Sequence, residues 1–214
     1  LTYMSHLSAA LTESGIATWT IEYRRIGDSG GGWPGTFQDV AQGTDYLQVL
    51  AKSYPLDLNR VVALGHSAGG HLVLWLGARS RLPKESPLYQ SSPLWLRGIA
   101  AIAAITDLRR TGTACDQSVS ELMGGSAKDF ASRYDQTSPI VLLPLGVKHT
   151  LIQGEVDNIV PLAMVKDYAD AAKKKSDDVK LLVIEGAGHF EPIDPKSTAW
   201  PKVREEVMAL LNGE

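Results

Sequence analysis

Cysteine is almost missing from this chain: Cys115 is the only one in 214 residues. One thiol cannot close an internal disulfide, so the fold has to hold without cross-links. That fits a reducing, cytoplasm-like compartment without requiring one. Long apolar runs are missing too, and none approaches the roughly 18 residues that a membrane-spanning helix needs. Neither sign of charge dominates. Lys and Arg total 21 against 24 Asp and Glu, a net charge of −3. This gives no electrostatic reason to expect nucleic acid or an anionic membrane as partner. Internal repeats and low-complexity segments are also absent. The first residue is Leu1 rather than methionine, so the start of the chain leaves a secretory signal and the compartment open.

What remains is a globular composition, 44% hydrophobic and 21% charged, of a length that suits one domain over 1–214 with a single substantial core. Tyr3, Leu7 and Leu11 recur every four residues ahead of Gly15, which predicts an amphipathic helix over 2–14. The strand formers of 16–23 predict a buried strand. Residues 24–35 hold five glycines and Pro34 and read as a loop. Thr36-x-x-Asp39 resembles a capping box that opens a helix running to about Ser53. Strands are predicted at 60–65, 98–105, 149–154 and 179–185, and helices at 68–79, 161–175 and 196–212. Residues 80–97, with Pro83, Pro87 and Pro93, form a surface connection. Residues 106–145 are the least regular stretch, with short helices at 118–123 and 129–134, and suit a small lid or pocket-forming insertion. The run 173–175 of three lysines suits the C-terminus of its helix. Strands alternating with helices place the chain in the α/β class, with a mostly parallel sheet covered on both faces. Sites in such sheets lie beyond the carboxyl ends of the strands.

The chain is organised around Val61-Val62-Ala63-Leu64-Gly65-His66-Ser67-Ala68-Gly69-Gly70-His71-Leu72. A short apolar run passes through Gly65-x-Ser67-x-Gly69 into a helix that carries Leu72, Trp75 and Leu76. Strand, sharp turn and helix together are the setting of a nucleophile elbow, in which a serine sits in a strained turn with its hydroxyl raised off the sheet. Glycine is expected on both sides because a Cβ there would collide with backbone.

A serine hydroxyl needs a base within hydrogen-bond reach, itself oriented by a carboxylate. Among five histidines, His6 lies on the first helix and His149 at the wrong end of its strand. His66 and His71 are too close in sequence to Ser67 and should pack or bond locally. His189 follows strand 179–185 through Gly186-Ala187-Gly188 and is the expected base. Asp157, leaving strand 149–154, is the expected carboxylate. Asp107, leaving strand 98–105, is its rival, although Thr106-Asp107-Leu108 suits a turn aspartate equally well. Glu155 and Asp194 read as loop-fixing groups. The order Ser67, Asp157, His189 is that of α/β-hydrolases rather than of other serine-triad folds.

The chain resembles an α/β-hydrolase of the esterase/lipase type, close to kynurenine formamidase-like and feruloyl- or acetyl-esterase-like enzymes. The likeness rests on Gly65-His66-Ser67-Ala68-Gly69-Gly70-His71-Leu72, Gly154-x-x-Asp157-x-x-Val160-Pro161, Gly186-x-Gly188-His189-Phe190 and the loop with Tyr23-Arg24 and Trp33-Pro34. It implies a hydrolase of small esters or amides with no metal or organic cofactor. The Ala68 N–H would serve as oxyanion donor, with Trp33 as a pocket wall and Asp107 as a further substrate contact. Aryl formamidase and prolyl-oligopeptidase-like peptidase are the alternative activities, although such a peptidase would normally bring a large extra domain.

One departure from the family pattern carries weight. The resemblance implies a strand and a His-Gly-Gly segment ahead of the first helix, whose N–H groups complete the oxyanion hole. Here the first helix starts at about residue 2. A record that lacks its N-terminal strands is the expectation, with low solubility and little activity for the chain as given. The rivals are a natural short form, in which strands 16–23 and 60–65 pair directly, and an inactive fragment or binding module.

Overall fold

Short runs of small and β-branched residues form the sheet. Val62–His66 makes β1, Gly98–Ile102 β2, His149–Gly154 β3 and Val179–Ile184 β4. All neighbours are parallel and the spatial order follows the sequence, β1-β2-β3-β4. The register sets Val62 beside Gly98, Ile99 beside His149 and His149 beside Val179. β2 and β3 are buried along their whole length, as strands covered on both faces must be. The computed structural model describes residues 2–110 and 112–213, so of the span 1–214, Leu1, Thr111 and Glu214 lie outside the described residues.

The helices are α1 (Ser5–Glu13), α2 (Gly35–Asp45), α3 (Leu47–Leu50), α4 (Ala68–Ala78), α5 (Asp116–Met123), α6 (Ala131–Asp135), α7 (Leu162–Lys174) and α8 (Trp200–Asn212). Because side chains alternate along a strand, the sheet feeds two separate apolar layers. Ile99, Ala101 and Leu151 pack with Phe37 of α2, Leu72 and Trp75 of α4 and Tyr168 of α7. Ala100, Ile102, Ile152 and Ile184 pack with Leu7 and Leu11 of α1 and with Val203, Val207 and Leu210 of α8. Trp75 is fully buried and satisfies its polar edge by donating Nε1–H to the Gln136 carbonyl at 3.1 Å. The predicted layering of helices on both faces of a parallel sheet is what the chain adopts.

Residues 16–23 differ from the expectation of a buried strand. They run without ladder partners and are mostly exposed. Strand propensity describes side chains that suit a pleated surface, whereas a strand exists only when a neighbour pairs with it. β1 is the sheet edge, and no strand among the described residues lies between it and 16–23. The two segments do not pair directly either. Side chains hold this segment instead: Trp19 Nε1–H donates to the Gly43 carbonyl at 2.9 Å, and the Ser8 and Thr20 hydroxyls lie 3.1 Å apart.

Thr36 is not a helix cap, because α2 already begins at Gly35. Its hydroxyl donates to the Arg24 carbonyl and accepts the Gly32 N–H, closing the glycine-rich loop. Asp39 takes the Arg24 guanidinium through both carboxylate oxygens. The helix read as one to Ser53 breaks into α2 and α3. The closing helix starts at Trp200, with Pro201 in its first turn where a missing N–H costs nothing.

Segment 106–145 is irregular around α5 and α6, but it is woven into the larger apolar layer through Met123, Tyr134 and Leu143. Among the described residues no helix is long and apolar enough to cross a membrane.

Candidate active site

The elbow turns where β1 meets α4. Ser67 has φ 56° and ψ −117°, a conformation rare for a residue with a side chain and held here by its surroundings. Its N–H donates to the Ile102 carbonyl at 2.8 Å, which pins the turn to the end of β2. Of the two expected glycines, one is required. A Cβ on Gly65 would run into the Gly69 carbonyl, whereas one on Gly69 would meet nothing within 4 Å. The second tight position is Gly70, where a Cβ would lie 2.8 Å from Ala104 Cβ and 2.9 Å from the Ile102 oxygen. Gly65→Ala is therefore expected to cost roughly 1–3 kcal/mol or more through overpacking. Gly69→Ala, in the first turn of α4, should be neutral or slightly stabilising. Thermal unfolding of the two variants checks this, and equal destabilisation would contradict the geometry.

Ala68 is the first residue of α4, so its N–H has no carbonyl one turn back and points from the positive end of the helix. His71 lies one turn further on and turns away from Ser67. Its Nε2–H donates to the Thr137 carbonyl at 3.0 Å, and Phe37 packs edge-on against the ring. Complete burial lowers its pKa to about 4.

Asp157 and His189 come from the carboxyl ends of β3 and β4. His189 Nδ1–H donates to Asp157 Oδ2 at 2.7 Å, with both side chains buried. The other carboxylate oxygen accepts the Ile159 and Val160 N–H groups at 2.8 and 2.9 Å. Gln153 Nε2 adds a bond to Oδ2 at 3.0 Å, so four donors surround one carboxylate. Gly154 makes the close approach possible, since a Cβ there would strike the Ala187 and Gly188 carbonyls.

His189 sits beside the elbow. Its ring centroid is 4.5 Å from that of His66, and its carbonyl accepts His66 Nε2–H at 2.8 Å. With Nδ1 on Asp157, Nε2 is the ring nitrogen outside that pair. Among the described residues no hydrogen bond joins it to the Ser67 hydroxyl; such contacts often tighten only with substrate bound.

The remaining expectations sort as follows. Asp107 is a turn aspartate that accepts the Arg109 N–H at 2.9 Å and the Ser138 hydroxyl at 3.3 Å. Glu155 fixes a loop by accepting the Gly186 N–H at 3.0 Å, and Asp194 does so with the Lys196 N–H at 2.9 Å. His149 is buried as the first residue of β3, donating Nδ1–H to the Val147 carbonyl at 2.8 Å. Trp33 lines a cavity of about 550 Å³ with Ser86, Phe130, Arg133 and Gln136, and neither Ser67 nor His189 reaches that cavity. A second cavity of about 850 Å³, between α1 and residues 190–196, also lacks Ser67 and His189. Sequence reasoning missed Gln153. The available signal was an amide at the carboxyl end of a buried strand, four residues before Asp157. Among the described residues no cluster of metal-ligating side chains occurs.

The family model BD-FAE matches residues 1–171, a span that contains Ser67 and Asp157 and stops before His189. Curated protein sequences yield no match. Solved structures share the fold. A lipase/esterase from Lactobacillus plantarum superposes with a TM-score of 0.75 at 16% identity, over 98% of this chain and 78% of that one. Esterase 2 of Thermogutta terrifontis, phosphoramylated by tabun, gives 0.72 at 21% identity, over 90% and 69%. The acetyl ester-xyloside bifunctional hydrolase of Caldicellulosiruptor lactoaceticus gives 0.72 at 18% identity, over 90% and 69%. The matched model spans well over half of the chain, and the chain belongs to the BD-FAE family, with the α/β-hydrolase fold.

Proposed function

We propose that the protein hydrolyses small carboxylic esters through an acyl-enzyme, with Ser67 as nucleophile, His189 as base and Asp157 as the orienting acid. The observation that carries this reading is the buried Asp157–His189 pair at 2.7 Å beside a serine held at φ 56°. Asp157 keeps the proton of His189 on Nδ1, so Nε2 is bare and can take the hydroxyl proton as Ser67 Oγ attacks the acyl carbon. The N–H of Ala68 donates to the carbonyl oxygen as it becomes an oxyanion. When the tetrahedral intermediate collapses, His189 returns the proton to the leaving alcohol. Water then repeats the sequence on the acyl-serine and releases the acid. No step calls for a metal or organic cofactor. Residues 1–214 act as one hydrolase domain, in which 106–145 is the insertion that shapes the pocket. The solved neighbours include an esterase phosphoramylated by tabun and an acetyl ester hydrolase, which agrees with this chemistry.

A fluorophosphonate probe tests the reading. The protein should be labelled covalently and Ser67→Ala should not, with hydrolysis of p-nitrophenyl acetate lost in parallel. Labelling that persists in Ser67→Ala would overturn the assignment.

A further inference from the structure

Ser67 and His189 leave strands at opposite edges of the sheet. Three strand spacings separate β1 from β4, roughly 14 Å at about 4.8 Å each. The loop that carries His189 must therefore fold back across the ends of β3 and β2. Most of its ties lead to β3 and the loop that follows: the Val156 N–H to the Ala187 carbonyl at 3.0 Å, the Gly186 N–H to Glu155, and His189 itself to Asp157. None of these fixes its distance from the nucleophile.

His66 does. It immediately precedes Ser67, and its Nε2–H donates to the main-chain carbonyl of His189 at 2.8 Å in a buried site. Among the described residues this is the one hydrogen bond that joins loop 186–190 to β1 or to α4. The tautomer follows from the partner. A carbonyl can only accept, so Nε2 carries the proton and Nδ1 is bare, ready to accept the Tyr3 hydroxyl at 3.0 Å. Both ring nitrogens are satisfied in one neutral form. Burial supports it by lowering the ring's pKa to about 4. Neutrality matters because a cationic ring 4.5 Å away would oppose the imidazolium that His189 becomes during attack.

We propose that His66 is a positioning residue, which staples the main chain of the base to the strand that presents the nucleophile and does so as a single neutral tautomer. The proposal rests on Ser67 and His189 being nucleophile and base. A base has to lie within about 2.6–3.2 Å of the hydroxyl it deprotonates. A displacement of about 1 Å can cost on the order of 100-fold in rate. The staple therefore acts on kcat rather than on substrate affinity.

Two substitutions of matched polarity isolate reach from chemistry. The amide nitrogen of glutamine extends about as far as Nε2, whereas that of asparagine stops short of it. His66→Gln should keep kcat on a p-nitrophenyl ester within about threefold, and His66→Asn should lower it roughly 10- to 100-fold. KM should stay within about twofold in both, and their unfolding midpoints should agree. Equal kcat in the two variants, or a loss confined to KM, overturns the proposal. Ser67→Ala, assayed alongside, separates the two levels of argument. If it is inactive while the His66 pair is matched, only the staple fails; if it is active, the catalytic reading fails and takes the staple with it. A measurement on the unsubstituted protein needs no variant to fold. The imidazole ¹⁵N shifts of His66 should report an Nε2–H tautomer that does not titrate between pH 5.5 and 9. The other tautomer, or a ring that titrates in that range, overturns the proposal.

Discussion

Replacing Ser67 with alanine is expected to lower kcat on a short-chain p-nitrophenyl ester by about 10⁴–10⁶-fold while leaving the fold intact. The size follows from what alanine removes. Without Oγ no acyl-enzyme can form, and His189 has only water to activate, in a position no residue has fixed. Whatever activity survives comes from oxyanion stabilisation and binding. The fold should survive because the bonds that hold the turn are main-chain ones, Ser67 N–H to Ile102 and His71 N–H to the Ser67 carbonyl. The hydroxyl makes none of them. Alanine also relieves nothing in the backbone: a Cβ is present in both residues, so the strain at φ 56° stays. A variant that keeps more than about a tenth of the activity would sink Ser67 as nucleophile. Loss of activity together with a lowered unfolding midpoint would point instead to a damaged turn.

The proposed site was legible in the sequence because its residues sit at strand ends. Ser67, Asp157 and His189 each follow a short apolar run within a few residues, and a parallel sheet delivers all such positions to one rim. Local pattern sufficed there. It failed where the deciding partner is distant. Residues 16–23 have the composition of a strand, yet pairing is a property of two segments, and α1 and α2 rather than a ladder receive their side chains. Thr36 and Asp39 have capping-box spacing, yet both face back across the loop to Gly32 and Arg24. The two glycines of the elbow look equivalent in sequence. Only the path of α4 shows that Gly65 is crowded by the Gly69 carbonyl while Gly69 faces open space. The partner of His66 is likewise invisible locally, since it lies 123 positions away.

Burial of neutral histidines carries a consequence for acid stability. His66 and His71 each titrate at about 4 in the folded protein, because burial disfavours the charged ring. The unfolded chain would bind those protons near the ordinary value of about 6.5. Each ring therefore contributes stability that is fully present above about pH 6.5 and is lost progressively as the pH falls toward 4.

Asp157→Asn is expected to cost about 10²–10⁴-fold in kcat, less than the serine change and without recovery at high pH. The reason lies in the number of donors around the carboxylate. Asparagine can keep its oxygen on the Ile159 and Val160 N–H groups, which hold Oδ1 now. Its NH₂ then occupies the place of Oδ2, facing two other donors, His189 Nδ1–H and Gln153 Nε2. Gln153 can adapt by turning its amide, because its buried Oε1 has no partner in the present arrangement. Turning it sacrifices the Nε2 bond to the Val160 carbonyl at 3.0 Å. His189 can adapt only by moving its proton to Nε2 so that Nδ1 accepts. That tautomer offers Ser67 a donor where a base is needed, and no change of pH restores the bare Nε2. Binding and the oxyanion contact from Ala68 survive, which sets the floor above that of Ser67→Ala. Asp107→Asn is the control. Its carboxylate accepts from the Arg109 N–H and the Ser138 hydroxyl through one oxygen, which asparagine retains, so kcat should stay near that of the unsubstituted protein. Steady-state kinetics across pH 6–9 on both variants checks the pair, and a larger loss in Asp107→Asn would transfer the orienting role to Asp107.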